Sequence, residues 1–264
     1  MTFDGRGKLA LVTGASSGIG RAFARRLGAE GCNLVVVGRR RERLDELVAE
    51  FPGLKIRPVV ADLGTQAGIE AAAAICAGEK LSLLVNNAGV SHYMSFPELP
   101  VEKAIELLHV KVVAPTMLSR AVAPGMIARG GGTIINVAGM LAFGASATLG
   151  RAPGRAVYVG TLAHIVALSQ ALHEELHARG LRIQVLCPGV VATEFHSRQG
   201  MDLSALPRMS AEDVVTASLR ALDLGEVVCA PGVERADLLD AVGAANLAAF
   251  GGQSPQLAAR YRGA

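Results

Sequence analysis

Short apolar runs alternate along the chain with longer stretches of helical spacing. The apolar runs fall at 9–13, 33–37, 56–60, 81–85, 133–137 and 182–186, with a seventh possible at 226–229. They are apolar in blocks rather than at every second position. That predicts strands buried on both faces. Between them, 20–30, 41–50, 66–77, 101–129 and 157–179 carry apolar residues at helical spacing with a polar face. Strand–helix alternation of this kind predicts an α/β fold, a doubly wound parallel sheet with helices on both faces. No repeat or Pro/Ser-rich linker interrupts it, so one domain is expected over 1–264. Two segments lack a period. One is 190–212, of mixed polarity, and the other is the glycine- and proline-bearing 144–155.

Composition narrows the function classes. Hydrophobic residues make up 51% and charged residues 19%, which excludes a disordered chain. Lys plus Arg is 26 and Asp plus Glu is 23, a formal charge of +3, too weak a field for a nucleic-acid binder. Cys32, Cys76, Cys187 and Cys229 are scattered, with no CxxC pair. They read as buried thiols in a reducing, cytoplasmic setting, not as a zinc site or a disulfide framework. The start of the chain lacks the pattern of a secretory leader, and no run of 18 apolar residues occurs, so no membrane partner is expected. His173 and His177 lie in the string HEELH, which matches the letters of a zinc-binding helix. The surrounding sheet-flanking helix is the wrong context, so no metal is expected.

The most specific chemistry lies at 8–20, KLALVTGASSGIG. A strand runs into Gly14, then Gly18 and Gly20, then a helix. Gly14 permits a tight turn, Gly18 lets backbone approach a pyrophosphate, and Gly20 allows close helix–sheet packing. The helix N-terminus offers free N–H groups to the anion. Ser16, Ser17 and Ile19 lie within the same turn. In dinucleotide folds selective for NAD, an acid about 20 residues on holds the ribose 2′-OH. Here the second strand ends in Gly38-Arg39-Arg40-Arg41. Guanidinium groups suit a 2′-phosphate. NADP(H) is therefore expected over NAD(H), with Arg39 and Arg40 as phosphate partners beside Ser16 or Ser17. The competing reading makes 39–43 the solvated start of a helix, countered by Glu42, Asp45 and Glu46.

TGASSGIG at 13–20, Asp62 after the third strand, NNAG at 86–89, and Pro188-Gly189 followed by Thr193 together resemble the short-chain dehydrogenase/reductase family. The resemblance covers roughly 7–195. It implies a Rossmann fold and a nicotinamide cofactor. It implies that Asp62 and Leu63 lie near the adenine, Asn87 and its neighbours through Gly89 by the adenosine ribose, and 188–193 along the nicotinamide. The segment at about 190–212 would be a substrate lid. A homodimer or homotetramer is implied as well, through 101–129 and 157–179, whose Val157, Leu162, Ile165, Val166, Leu168 and Leu172 exceed what one sheet face needs.

The family's chemistry uses an Asn, a Ser, a Tyr and a Lys. Tyr158 matches the tyrosine, which exchanges a proton with the carbonyl or alcohol oxygen. The lysine position four residues on is Leu162. The asparagine position is Lys111. The serine position, after the strand ending IINV, is occupied by Ala138-Gly139. Two readings follow. In the first, an active enzyme reduces or oxidises a small or medium, mostly apolar molecule. Lys111 then brings its ammonium toward Tyr158, and Ser146 supplies the missing hydroxyl. In the second, the redox chemistry is lost, and the chain is a cofactor-binding regulator or a lyase, isomerase or cyclase. His92, Tyr93, Met94, Phe143, Phe195 and His196 are candidates to shape the substrate pocket.

Overall fold

The computed structural model describes residues 4–145 and 154–262. Seven strands, Leu9–Thr13 (β1), Asn33–Gly38 (β2), Ile56–Val60 (β3), Leu83–Asn86 (β4), Gly132–Val137 (β5), Leu181–Leu186 (β6) and Val228–Cys229 (β7), form one sheet. The order is β3-β2-β1-β4-β5-β6-β7 and every pairing is parallel. Helices Gly18–Ala29 (α1), Arg41–Ala49 (α2), Gln66–Gly78 (α3), Val101–Leu108 (α4), Ala114–Ala128 (α5), Ala156–Leu176 (α6) and Ala211–Leu224 (α7) accompany it. This is the expected Rossmann architecture.

Successive strand residues point to opposite faces, so each strand feeds two cores. Val12, Val36 and Ile135 pack with Phe23 and Leu27 of α1, Leu44 and Leu47 of α2, and Val214 of α7. Leu11, Val35 and Ile134 face the other way, toward Ile69 of α3 and Leu118, Val122 and Met126 of α5. Each fully buried large side chain here contributes about 2 kcal/mol of burial free energy. The asparagines inside are paired. Asn86 Nδ2 donates to Asn136 Oδ1 at 2.9 Å and to Ser119 Oγ at 3.1 Å, and Asn136 Nδ2 donates to Ser169 Oγ at 3.0 Å. These bonds tie α5 and α6 to β4 and β5 below the crevice.

Two departures from the expected elements matter. The helix anticipated over 101–129 is α4, a π-helical turn at His109–Val113, and α5. Pro115 explains the break. A proline lacks the N–H a regular helix needs, and its ring clashes with the carbonyl four residues back, here that of Lys111. The wide turn absorbs this conflict and sends the Lys111 side chain inward. The second departure is α7, which the apolar spacing did not announce. Its local signals are nonetheless present: the Ser210 hydroxyl accepts from Asp213 N at 2.9 Å, and Gly225 closes the helix at φ +77°. It also shortens the aperiodic segment, which ends where α7 begins.

Helix α6 is long and apolar enough, by length and composition, to cross a membrane. Its Leu162, Ile165, Val166 and Ser169 are instead buried within this chain, and α6 packs along β6.

Contacts group the chain through Pro231 as one unit and Gly232 onward as a second, small one. The second contains helix Asp237–Gly251 (α8), none of whose residues is buried. Leu238, Val242, Leu247 and Phe250 are all exposed there.

Candidate active site

In an order of this kind the strand connections reverse between β1 and β4, and a crevice opens at the strands' carboxyl ends. A cavity of about 1340 Å³ occupies that place. It exceeds the few hundred to about 1,000 Å³ of an ordinary ligand pocket, so a dinucleotide and a second molecule fit together. Every residue expected to touch cofactor lines it, save Gly20. Gly20 sits behind: a Cβ there would lie 2.4 Å from Gly14 O and from Asn87 Nδ2.

The turn after β1 meets the demands of an anion. Gly14 and Gly18 have φ of +67° and +52°, a region that side chains other than glycine rarely adopt. A Cβ on Gly14 would also meet Asn87 Nδ2 at 2.7 Å. Asn87 Nδ2 donates to Thr13 O at 3.0 Å, and Thr13 Oγ1 accepts from Asn87 N and Ala88 N. The first two motifs are thereby fastened to each other. Ser17, at the N-cap of α1, makes no side-chain capping bond, and the first turn carries no acid. The leading N–H groups and the positive end of the helix are left to an anion. These features fit the diphosphate of a nicotinamide cofactor.

Both arginines after β2 line the cavity, and both meet carboxylates. Arg40 Nη2 lies 2.5 Å from Glu194 Oε1 and donates to Ser16 O and Oγ at 3.3 Å. Arg39 Nη1 lies 3.5 Å from Glu106 and 3.9 Å from Asp62. Asp62 Oδ1 accepts from Gly64 N at 2.9 Å. His92 Nε2 and Glu106 Oε2 are 2.8 Å apart. Glu194, which had no sequence signal, follows Thr193 at the start of the 190–212 segment. Thr193 itself rests against Gly18: a Cβ there would come within 3.1 Å of its Cγ2. That segment crosses from β6 to the glycine turn.

The far end of the cavity holds the candidate chemistry. Tyr158, in the first turn of α6, is 7% exposed, and burial, with Tyr93 adding to it, pushes its phenol well above the usual range. Leu162, one turn on, is buried, with its Cδ1 3.4 Å from where a Cβ on Gly139 would stand. The lysine and serine positions have thus merged into one apolar patch. Lys111 is 4% exposed and its Nζ donates to Val137 O at 3.2 Å. Gly89 makes room for it: a Cβ there would fall 2.9 Å from Cε and Nζ. Beside Lys111 lies a void of about 10 Å³, about one water in size. Burial lowers the Lys111 ammonium to about 8.

Tyr93, Phe195 and His196 form an aromatic wall with Tyr158. The Tyr93 and Tyr158 ring centres are 5.6 Å apart, edge to face, and those of Tyr158 and Phe195 are 6.4 Å apart. His92 lines the cavity too, whereas Met94 and Phe143 do not. Ser146 lies outside the described residues. His173 of α6 and His177 of the turn that follows it stack at 4.8 Å, and no group of three metal-ligating side chains occurs among the described residues.

The profile of the short chain dehydrogenase family matches residues 8–203. A very-long-chain 3-oxoacyl-CoA reductase-like protein of Arabidopsis thaliana is 32% identical over 85% of this chain and 73% of its own. A short-chain dehydrogenase from Sphingobium yanoikuyae, solved in complex with NADPH, superposes with a TM-score of 0.91. It is 32% identical, with 97% of this chain and all of that one covered (100%). The bulky-bulky ketone specific alcohol dehydrogenase of Comamonas testosteroni reaches 0.87 at 27% identity, covering 97% of this chain and 99% of that one. With a parallel sheet in this order, a glycine turn shaped for a diphosphate and a tyrosine at the cavity's far end, the chain belongs to the short-chain dehydrogenase/reductase family of oxidoreductases.

Proposed function

We propose that this protein is an NADP(H)-dependent oxidoreductase that interconverts a carbonyl and an alcohol on a small or medium, mostly apolar molecule. The observation that carries the reading is one cavity joining the glycine turn and Arg40 at one end to Tyr158 and Lys111 at the other. The cofactor, when bound, supplies or accepts the hydride at the substrate carbon. Gly14, Ser16, Ser17, Gly18, Ile19 and Gly20 hold its diphosphate. Arg39 and Arg40 receive the 2′-phosphate. Asp62, Leu63, Asn87 and Gly89 border the adenosine, and Pro188, Gly189 and Thr193 the nicotinamide. Residues 190–212 act as the lid. The NADPH-bound relative and the ketone-specific one support the cofactor and the substrate class.

Tyr158 is the proton donor. Leu162 stands where the family has its lysine, and burial keeps the phenol protonated. That favours delivering a proton to a carbonyl oxygen over taking one from an alcohol. Lys111, which lines the same cavity, acts on Tyr158 through space. Ser146 remains a proposed ligand of the substrate oxygen. Four buried, free cysteines support a cytoplasmic setting. We assign a small-molecule substrate, a homodimer or homotetramer, and neither nucleic acid nor membrane as partner.

A second reading, binding without redox chemistry, is favoured by the apolar patch of Leu162 and Gly139. Calorimetric titration with NADPH and with NADH, followed by NADPH oxidation with a panel of ketones, separates the two. Tight NADPH binding, NADH at least tenfold weaker, and turnover that K111A abolishes are expected. NADPH binding without oxidation by any ketone overturns the oxidoreductase assignment. Equal affinity for both cofactors overturns the role of the arginines.

A further inference from the structure

A carbonyl oxygen carries two lone pairs and gains negative charge as hydride arrives, so one donor does not satisfy it. Tyr158 supplies one. Leu162, one turn on along α6, and the Phe195 ring, 6.4 Å away centre to centre, offer no side-chain donor. Tyr93 does. Its ring stands edge-to-face on Tyr158 at 5.6 Å, and both residues line the cavity. Burial raises the Tyr93 phenol, which is therefore protonated at working pH and able to donate, and its oxygen is near enough to raise Tyr158 further.

Behind it lies an unexplained polar group. Ser91 is fully buried, and its Oγ has no well-formed hydrogen bond among the described residues. A buried polar group of this kind calls for a reason. The Ser91 hydroxyl is close enough to the Tyr93 oxygen to lower its pKa against the effect of burial. His196 stacks on the Tyr93 ring, centres 6.2 Å apart.

We infer that Tyr93 donates a further hydrogen bond to the substrate oxygen, beside Tyr158 and the proposed Ser146, with Ser91 as the positioning residue that aims its phenol. Hydride adds to the carbonyl carbon, the C=O π pair moves to oxygen, and Tyr158 transfers its proton there to give the alcohol. Tyr93 keeps its proton throughout. The Tyr158 phenolate is reprotonated from solvent. This inference rests on the oxidoreductase reading above.

The test uses the full chain, saturating NADPH and 2,2,2-trifluoroacetophenone as the carbonyl probe. Y93F keeps the ring and removes the oxygen. Its kcat is expected to fall about a hundredfold, as for loss of one oxyanion donor, with NADPH affinity by calorimetry unchanged. S91A is expected to lower kcat in the wild-type background and to cost nothing further in Y93F. A purely structural serine would cost the same in both. Y93F turning over within twofold of wild type overturns the inference alone, as does an undiminished S91A effect in Y93F. A wild-type protein that binds NADPH and never reduces the probe overturns the oxidoreductase reading beneath it.

Discussion

Lys111 shows how a single residue couples activity to stability. Its ammonium sits at 4% exposure with Val137 O as its hydrogen-bond partner. Burial has moved it from an ordinary 10.5 to about 8. Above 10.5 the amine is neutral whether the chain is folded or not. Between about 8 and 10.5 the unfolded chain binds the extra proton, so stability rises with pH there. Below about 8 both states are charged, and the folded state bears the whole penalty of about 3 kcal/mol. Lys111→Met removes that penalty and forfeits a bond worth about 1 kcal/mol. The variant should therefore unfold several degrees higher than wild type at pH 7, by calorimetry. The advantage should shrink as pH rises from 8 toward 10.5, while ketone reduction is lost. A lower Tm at pH 7 would mean that the ammonium stabilises the fold. The sequence shows Lys111 at the family's asparagine position. Its inward turn was not legible from apolar spacing, because Pro115, four residues on, acts through backbone sterics and not through hydrophobicity.

At the scale of elements, the 190–212 segment and the turn after β2 are joined by charge. Glu194 of that segment meets Arg40, and Arg198 lies 3.4 Å from the same carboxylate. Hydrogen bonds from Arg40 and Ser17 keep Glu194 ionised below the usual carboxylate range, against the opposing effect of burial. The carboxylate thus holds the guanidinium that a 2′-phosphate would need. Like charges cannot share it, so phosphate binding has to displace Glu194. Half-exposed pairs are worth at most about 1 kcal/mol, or about fivefold in affinity. Glu194→Gln should tighten NADPH by about that factor and leave NADH unchanged, measured by calorimetry at 50 mM salt. A weaker NADPH complex would mean that Glu194 holds Arg40 ready for the phosphate. Nothing in the sequence pairs Glu194 with Arg40, since they stand far apart along the chain and meet only once β2 and β6 take their places in the sheet. The arginines and the glycine turn were legible because both lie on one strand–turn–helix unit, where local spacing carries the geometry.

For the whole molecule, the strands and most helices could be read from their apolar spacing, the inner strands because burial on both faces leaves no other pattern, whereas β3, at the sheet edge, has no buried residue. What could not be read was which apolar helix residues the chain consumes itself. Leu162, Ile165 and Val166 of α6, expected to be left for a partner subunit, are buried inside this chain. The exposed side of α6 is small, with Gly160, Ala163 and Ala167. The surplus lies on α4 instead: Val101 is 71%, Ile105 46% and Leu108 44% exposed. These stand at i, i+4 and i+7, one stripe on one face. A small-residue helix surface admits a second helix closely, and an apolar stripe gives it reason to approach. A stable dimer needs about 800 Å² from each partner, which one stripe of three side chains reaches only with its flanking residues. A charge at its centre should therefore suffice to break it. Ile105→Glu is expected to lower the mass seen by light scattering from an oligomer toward the 27.2 kDa of one chain. NADPH affinity should hold within twofold, because Ile105 does not line the cavity. The exposed apolar face of α8 offers the competing surface. If Ile105→Glu leaves the mass unchanged and Leu247→Glu lowers it, the contact belongs to the C-terminal segment and the α4 stripe is only solvated surface.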